Sequence, residues 1–206
     1  MSLGRTALVL AIDTTLDACS VAITHGGSVR ASLSETMSRG QAERLAPMVR
    51  EGVQKAGIAF ADIDRIAVTT GPGSFTGVRV GISFARALAL ALDKPCVGVS
   101  TLEALALEEG VTGLRGAMIE TPGATYLALY DGGAPLIAPR AIDRGEHANL
   151  LTASARGRAF LLRGPGVNAD VSALARRAAI LDVARYSPTP LYLRAPHVTL
   201  QRGSRD

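Results

Sequence analysis

The glycine-rich segment at residues 71–77, Gly-Pro-Gly-Ser-Phe-Thr-Gly, constrains the fold more than any other part of the sequence. It separates an apolar strand-like run, residues 65–70, from a helix-like run, residues 76–93. Glycines permit a tight turn and the close approach of another backbone or of a ligand. No Gly-Lys-Ser or Gly-Lys-Thr follows, so the segment is not a Walker A loop. We interpret it as either a structural turn or a ligand-facing loop, in which Ser74 or Thr76 caps the helix.

The first half of the chain predicts a strand meander followed by helix, strand, helix and strand. A hairpin turn is predicted at residues 25–27. A helix is predicted at residues 41–56, because apolar residues recur there at three- and four-residue steps and Gly57 follows. The strands are predicted at residues 7–12, 19–24, 28–33, 65–70 and 95–99. This order predicts a mixed sheet covered by helices.

The second half repeats this pattern more weakly. A second meander is predicted at residues 116–120, 125–130 and 135–139, and helices near residues 145–155 and 170–179. Two such halves predict a duplicated actin-like ATPase (ribonuclease H-like) α/β fold, with mixed sheets, helices on their faces and a reduced second copy. We expect a first lobe at residues 1–110 and a smaller, degenerate second lobe at residues 111–206.

Charge and cysteine content restrict the classes of function. The formal net charge is +4, from 22 basic and 18 acidic residues, and such a surface can attract tRNA or an acidic protein. No dense basic run or RNA-stacking aromatic motif accompanies it, so direct nucleic-acid binding is the less favoured interpretation. Cys19 and Cys96 lie in apolar runs, and we expect two buried thiols rather than a disulfide framework.

The apolar segments of the sequence predict where in the cell the protein is located. The first fifteen residues have no long apolar stretch or cleavage site typical of a signal peptide. The most apolar segment, residues 80–92, is shorter than the about 20 residues that span a bilayer. We therefore expect a cytoplasmic protein with no membrane contact.

The helix predicted after the glycine-rich segment has an unusual distribution of side chains. Its polar residues Arg79, Ser83 and Arg86 form one narrow stripe, and almost everything else is apolar. Small residues repeat every four positions: Gly77, Gly81, Ala85 and Ala89. Either the helix is buried between its own sheet and a neighbouring helix, or the small-residue ridge contacts a partner. We favour the partner interface.

A candidate nucleotide or anion loop combines the first strand turn with the glycine-rich segment. In actin-like kinases an acidic residue at the position of Asp13 helps to hold magnesium, although Asp-Thr-Thr is also common in hydroxyl and Asx turns. The corresponding second-half turn, residues 120–123, has one carboxylate and no phosphate signature, so a kinase is not favoured. The candidate residues are Asp13, Thr14, Gly71, Gly73, Ser74 and Thr76.

Metal and nucleophile motifs are not found in the sequence. His25, His147 and His197 are far apart, without the spacing of a helical metal site. No Gly-x-Ser-x-Gly elbow of a serine hydrolase occurs. The sequence therefore predicts neither a metal site nor a complete catalytic set.

Four segments resemble the TsaB (YeaZ) family. They are LAIDTTLDACSVAI (residues 10–23), GPGSFTGVRVGIS (residues 71–83), GVSTLEALA (residues 98–106) and PLYLR (residues 190–194). The resemblance is strong over residues 8–107 and thin thereafter. Many members have Asp-Ala-Arg where this chain has Ile119-Glu120-Thr121.

The resemblance implies a scaffold in tRNA modification. Members have an actin-like fold, pair with a homologous catalytic subunit, TsaD, work with an ATPase, TsaE, and pair with a second copy when alone. The complex transfers a threonylcarbamoyl group to adenosine 37 of tRNA. For this chain the resemblance implies a non-catalytic role, tRNA contact through the complex, and no cofactor of its own, with ATP, ADP and metal in the assembled complex.

The resemblance also assigns residues. It implies that the helices at residues 41–56 and 76–93 form the partner or dimer interface, through Leu45, Met48, Val49, Gly77, Val80, Gly81, Phe84 and Leu88. TsaD carries a metal-binding His-x-x-x-His just after the fifth strand, and the matching residues here are Thr101 and Leu105, which are not ligands of this kind. The alternatives are a free-standing actin-fold nucleotide-binding protein or ATPase, a metal-dependent peptidase, and a free-standing homodimeric binding protein.

Overall fold

The computed structural model describes residues 6–107 and 113–193 and contains two lobes. The elements of the first lobe are β1 Leu8–Asp13, β2 Ala18–His25, β3 Ser28–Thr36, α1 Gln41–Ala56, β4 Arg65–Thr69, α2 Phe75–Leu92, β5 Cys96–Val99 and α3 Thr101–Ala106, with a 3-10 turn at Phe60–Asp62. Those of the second are β6 Leu114–Thr121, β7 Ala124–Asp131, β8 Ala134–Ile142, α4 His147–Ala155, β9 Phe160–Arg163 and α5 Val171–Ala179.

The two sheets repeat one topology. The first has the order β3-β2-β1-β4-β5, with β1 antiparallel to β2 and parallel to β4. The second has the order β8-β7-β6-β9, with β6 antiparallel to β7 and parallel to β9. The second sheet has one strand fewer among the described residues. This repetition confirms the predicted duplicated actin-like fold with a reduced second copy.

The central strand β1 is buried on both faces. Leu8, Leu10 and Ile12 point to one face, and Val9 and Ala11 to the other, because side chains alternate along a strand. Helices α1 and α2 cover the first face, and α3 and α5 lie on the second, between the two sheets. Burial on both faces explains why this strand is a continuous apolar run in the sequence.

Helix α5 of the second lobe is anchored to the first lobe. Arg65 of β4 is fully buried, and its Nη1 donates to the carbonyl oxygens of Ala178 and Leu181 over 2.5 and 2.8 Å. A guanidinium that donates to the last carbonyls of a helix also interacts favourably with the helix dipole. The outer face of the second sheet packs on α4. The layers are therefore α1 and α2, the first sheet, α3 and α5, the second sheet, and α4.

Long elements were predicted well and short ones were missed. The predicted helix at residues 41–56 is confirmed as α1, and Gly57 ends it with a φ of 66°. Helix α3 and strand β9 were not predicted, since six and four residues are too few to show a periodicity. The predicted lobe boundary between residues 110 and 111 lies outside the described residues, as does Arg194 of the PLYLR segment.

The two thiols differ in exposure. Cys19 in β2 is fully buried, as predicted. Cys96 is partly exposed, which corrects the prediction, because it begins the edge strand β5. Burial raises the pKa of Cys19 to about 11 and that of Cys96 to about 12. Both thiols therefore stay protonated and unreactive near neutral pH.

Helix α2 matches the predicted helix at residues 76–93 to within one residue at each end, and it is longer than the apolar segment, residues 80–92, that was compared with a membrane span. With 18 residues it has the length and composition of a membrane span. Helices that pack in a protein core meet the same test, and the inward side of α2, with Val78, Ile82 and Ala85, packs on the first sheet. Arg79 and Arg86 lie on its exposed side.

Candidate functional site

The glycine-rich segment packs against the turn between β1 and β2. A Cβ atom at Gly73 would collide with the carbonyl oxygen of Thr15, and one at Gly77 with that of Thr14. The Ser74 amide donates to the Thr15 carbonyl oxygen over 2.7 Å. Backbone contact within the chain therefore requires glycine at both positions. These contacts support the interpretation of the segment as a structural turn.

Ser74 is the N-cap of α2. Its Oγ accepts a hydrogen bond from the Gly77 amide over 3.2 Å, and the helix begins at Phe75. This confirms one of the two predicted caps. Thr76 lies in the first turn with its side chain exposed.

Asp13 is a structural hub. It is 1% exposed, and its Oδ1 accepts from the Thr15 amide, the Thr15 hydroxyl and the Thr69 hydroxyl over 2.9, 2.7 and 2.6 Å. The Thr14 hydroxyl donates to the Gly77 carbonyl oxygen over 2.7 Å. The Asx-turn alternative describes this arrangement, because the carboxylate joins β1, its turn and β4.

The six predicted loop residues do not share one accessible surface. Gly71 is buried with a φ of 95°, and its carbonyl oxygen accepts from the Thr101 amide over 2.8 Å. Asp13 and Thr14 are buried, Gly73 is half-buried, and Ser74 and Thr76 are exposed. A nucleotide or anion role for them stays a prediction.

A cleft of about 250 Å³ lies between the lobes beside these turns. Its lining comes from the β1–β2 turn, the glycine-rich segment, α3, β6 with its following turn, and the segment after β9: Thr15, Leu16, Asp17, Gly73, Ser74, Leu105, Met118, Ile119, Glu120, Thr121, Pro122, Pro165, Gly166, Val167 and Asn168. The carboxylates of Asp17 and Glu120 are its charged groups, and within the described ranges no lysine or arginine lines it. A polyphosphate here would meet like charges without a balancing cation from a lining side chain.

Thr101 and Leu105, the two positions compared with metal ligands in the sequence analysis, face the interior. Thr101 is fully buried, and its hydroxyl donates to the Thr15 hydroxyl over 3.1 Å. Leu105 is 3% exposed and forms part of the core between the sheets. Across residues 6–107 and 113–193, no group of three or more His, Cys, Asp or Glu side chains converges on one point.

Five of the eight predicted interface residues lie in the chain's own core, which corrects their predicted accessibility. Leu45, Met48 and Val49 are at most 1% exposed and face the first sheet. Gly77 and Gly81 face the β1–β2 turn and β4, because a Cβ atom at Gly77 would collide with the Thr14 carbonyl oxygen, and one at Gly81 would meet the side chains of Thr14 and Val68. The small-residue ridge thus packs inside the chain, because it lets α2 approach that turn closely.

Val80, Phe84 and Leu88 are half-buried at the border of the same core. An interface formed by α1 and α2 therefore depends mainly on residues other than the eight predicted ones. We call these the α1–α2 outer face, defined by exposed residues of α1 and of the middle and end of α2: Ala42, Ala46, Pro47, Arg50, Ser83, Arg86, Ala87 and Leu90. Leu90 is 85% exposed.

A second cavity, of about 290 Å³, is lined in part by Glu103, which forms a part-buried ion pair with Arg177. Arg177 Nε donates to Glu103 Oε1 over 3.2 Å, and the Glu103 side chain is 12% exposed. Burial raises the pKa of Glu103, and Arg177 opposes that shift. Burial also raises the pKa of Tyr130, whose hydroxyl lies 3.4 Å from that of Ser100. Sequence reasoning missed this cluster, because α3, β7 and α5 contribute one or two residues each.

An exposed aromatic cluster lies at the start of α2. The Arg79 guanidinium carbon is 3.8 Å from the centre of the Phe75 ring, and the ring centres of Phe75 and Tyr192 are 6.4 Å apart. Both aromatic residues are 56% exposed. Sequence reasoning missed the cluster because Tyr192 is distant in the chain. We call it the α2 aromatic cluster.

Comparison with known proteins gives a consistent family. A family model described as TsaD, tRNA N6-adenosine threonylcarbamoyltransferase, matches residues 32–138, just over half of the chain. The Escherichia coli (strain K12) tRNA threonylcarbamoyladenosine biosynthesis protein TsaB is 41% identical over 126 residues, covering 59% of this chain and 54% of that protein. An Erythrobacter litoralis tRNA N6-adenosine threonylcarbamoyltransferase is 42% identical over 109 residues, covering 53% of this chain and 29% of that protein. The chain spans about half the length of the TsaB relatives that it matches.

Solved structures extend the similarity to most of the chain. YeaZ from Pseudomonas aeruginosa superposes with a TM-score of 0.70 and 27% identity, covering 91% of this chain and 100% of that chain. A second structure from that organism, described as an uncharacterized protein with similarity to peptidase YeaZ, has a TM-score of 0.71 at the same identity and coverage.

Proposed function

We propose that this chain, which belongs to the TsaD family and within it to the TsaB (YeaZ) group, is the accessory subunit of the machinery that forms N6-threonylcarbamoyladenosine in tRNA. It acts in the cytoplasm, where it holds and activates a TsaD-type catalytic subunit and works with a TsaE-type ATPase. It is not an enzyme by itself and binds no cofactor alone. Its tRNA substrate is engaged through the complex.

The interior position of Thr101 and Leu105 carries the proposal of a non-catalytic role. The family resemblance matches these residues to the metal-binding histidines of TsaD, and in this chain the Thr101 hydroxyl and the Leu105 side chain are engaged in the chain's own core. The same family fold is thus built with packing residues at the metal positions. A scaffold keeps the fold and the surface that meets the catalytic subunit, and needs no ligand set of its own.

The α1–α2 outer face is the surface that we assign to the partner. It places small and apolar side chains beside arginines, with Ala46 and Pro47 on α1 and Ala87 and Leu90 on α2. A leucine that is 85% exposed at the end of an otherwise apolar helix favours burial in an assembly. Arginine among apolar residues is typical of interface cores. When the chain is alone, a second copy pairs through the same face.

Light scattering on a sizing column, with the catalytic subunit of the same organism, tests the proposal. We expect a one-to-one complex that Ala87→Glu and Leu90→Glu each weaken, because a carboxylate is desolvated in the apolar contact. Ala153→Glu is the matched control, since Ala153 is an exposed alanine on α4. Gly81→Leu is unsuitable, because a Cβ there would lie 2.6 Å from Thr14 Oγ1 within the chain.

The alternative function, a free-standing nucleotide-binding protein or ATPase, predicts a different result in the same experiment. In that case the two proteins elute separately with and without ATP, and the chain alone hydrolyses or binds ATP in a filter assay. Separate elution under all nucleotide conditions would overturn the accessory role.

A further inference from the structure

The α2 aromatic cluster is assembled by contacts between distant parts of the chain. The Leu191 amide donates to the Thr70 carbonyl oxygen over 2.8 Å, which carries the following residue, Tyr192, to the start of α2. Arg79 Nε lies 3.5 Å from the Tyr192 hydroxyl while its guanidinium covers the Phe75 ring. The three side chains therefore form one platform held from two sides.

The exposure of this platform is unusual for the fold around it. Phe75 and Tyr192 are each 56% exposed, although the inward residues of α2 are almost completely buried. Aromatic side chains are rare in this protein, at 4% of its residues. Two exposed aromatic side chains lie side by side here, next to a stacked arginine. Such an arrangement is typical of a binding surface.

The charge around the platform indicates the class of ligand. Helix α2 contains Arg79 and Arg86 and no acidic residue from Phe75 to Leu92. The exposed Thr76 hydroxyl lies in the first turn of the helix, where the helix dipole favours an anion. Flat apolar rings, a guanidinium plane and a positive field together suit a nucleobase with its phosphate, because bases stack on aromatic rings and on arginine.

We infer that Phe75, Arg79 and Tyr192 form a stacking site for unpaired nucleotides of RNA. The inference rests on the proposed function and deepens it, since it gives the accessory subunit a direct contact with the RNA that the complex modifies. Stacking reads no base edge, so the site is tolerant of sequence and selects single-stranded over duplex RNA.

A fluorescein-labelled RNA hairpin with an unpaired loop is the probe, and a blunt RNA duplex of similar length is the comparison. Fluorescence anisotropy is measured with the full chain and with its complex with the catalytic subunit. We expect Phe75→Ala and Tyr192→Ala each to weaken hairpin binding about tenfold while hardly changing duplex binding. Val29→Ala is the control, because Val29 is a similarly exposed apolar residue far away on β3.

Two substitutions of Arg79 distinguish the contribution of stacking to RNA binding from the contribution of charge. Arg79→Gln is expected to weaken binding and to reduce the slope of log affinity against log salt by about 1, because one phosphate contact is lost. Arg79→Lys keeps the charge and the slope but loses the guanidinium plane, so it weakens the hairpin binding by less than Arg79→Gln.

The affinity of the complex for the RNA hairpin, with and without the substitutions, tests the inference. If Phe75→Ala and Tyr192→Ala bind the hairpin as tightly as the unsubstituted complex, the inference is wrong, and the proposed function stands as long as the complex forms. If they dissociate the complex while RNA binding by the remaining intact complex is unchanged, the cluster is a protein interface. If light scattering shows that neither the parent chain nor any variant binds the catalytic subunit, the proposed function itself is wrong. Circular dichroism of each variant verifies that it is folded.

Discussion

At the scale of single residues, Asp13 shows how a residue typical of a phosphate site can serve packing instead. Its carboxylate is buried and accepts three hydrogen bonds, which join the end of β1, the following turn and β4. Burial of this carboxylate is tolerated because three hydrogen-bond donors replace the water that it loses. This use of Asp13 leaves the β1–β2 turn rigid under the glycine-rich segment.

Asp13→Ala removes the acceptor of three buried donors. We expect the free energy of unfolding to fall by about 3 kcal/mol, since each unsatisfied donor keeps its desolvation cost. Asp13→Asn retains an oxygen acceptor and loses less. Urea denaturation followed by circular dichroism measures both, with the exposed Glu43→Gln as control. Equal stability of Asp13→Ala and the parent chain would contradict the role assigned to this carboxylate.

The Glu103–Arg177 pair gives a pH-dependent prediction. Burial raises the pKa of Glu103, so the folded state binds that proton more tightly than the unfolded state, and stability falls as pH rises through the folded pKa. Arg177→Gln removes the opposing cation. We expect a loss of about 2 kcal/mol near pH 8 and a smaller loss near pH 5, because burial without the cation raises the pKa of Glu103 further and favours its neutral form as pH falls.

Urea unfolding of Arg177→Gln at the two pH values is the measurement. The control is Arg158→Gln, which breaks the exposed pair between Arg158 and Asp131. Water already solvates that pair, so its loss changes stability much less. A loss for Arg177→Gln that is the same at both pH values would show that Glu103 keeps its charge throughout.

At the scale of elements, the β1–β2 turn determines which residues α2 can have on its inward side. The helix contacts the β1–β2 turn so closely that its first small residue, Gly77, has no space for a methyl group beside the Thr14 backbone. Further along, Gly81 leaves room for the Thr14 hydroxyl, which bonds to the Gly77 carbonyl oxygen. The outward side is free to serve assembly, because the fold depends on the inward side.

Gly77→Ala tests this packing, because the close contact and helix propensity predict opposite changes in stability. Alanine in a helix interior is ordinarily about 1 kcal/mol more favourable than glycine. Here we expect the variant to be less stable by about 3 kcal/mol, since the added carbon displaces the turn. Thermal unfolding of Gly77→Ala is compared with Ser83→Ala, an outward change on the same helix that is expected to alter stability by less than about 0.5 kcal/mol. A Gly77→Ala variant more stable than the parent would refute the close contact.

At the scale of the whole molecule, one apolar core joins the two lobes. Residues of β1 and β4 from the first lobe pack with β6, β7 and α5 from the second, and α3 lies among them. The buried contact from Arg65 to the end of α5 and the 3.3 Å contact between the Ser172 and Ser32 hydroxyls cross the same interface. Neither sheet would have both faces covered without the other lobe.

This shared core predicts a single cooperative unfolding transition. Tyr126 and Tyr130 lie in β7 of the second lobe, whereas Cys19 and Cys96 lie in β2 and β5 of the first, so the two residue types together report on both lobes. Tyrosine fluorescence and thiol reactivity should therefore give the same urea midpoint. The thiols are suitable probes because burial raises their pKa to about 11 and 12 in the folded chain. Two separate midpoints would show that the lobes unfold independently.

Much of the architecture was predictable from local pattern. The meanders, the helix at residues 41–56 and the duplicated fold follow from apolar runs, periodicity and turn residues, and these signals are local because they depend on neighbours in the chain. The direction in which α2 faces was not predictable. A helix that is apolar on nearly every side has no periodic signal to show which side meets the sheet, so Gly77 and Gly81 were assigned to a partner interface.

The sequence by itself determined the family, the duplicated strand meanders and the long helices, since each of these depends on short segments of the chain. Tertiary structure alone decided that Asp13 is a hydrogen-bonding hub, that the small residues of α2 face inward, and that Phe75 and Tyr192 meet on the surface. The physical reason is distance along the chain. Contacts between residues tens of positions apart depend on how the sheets, helices and final segment pack, and no local pattern specifies that packing.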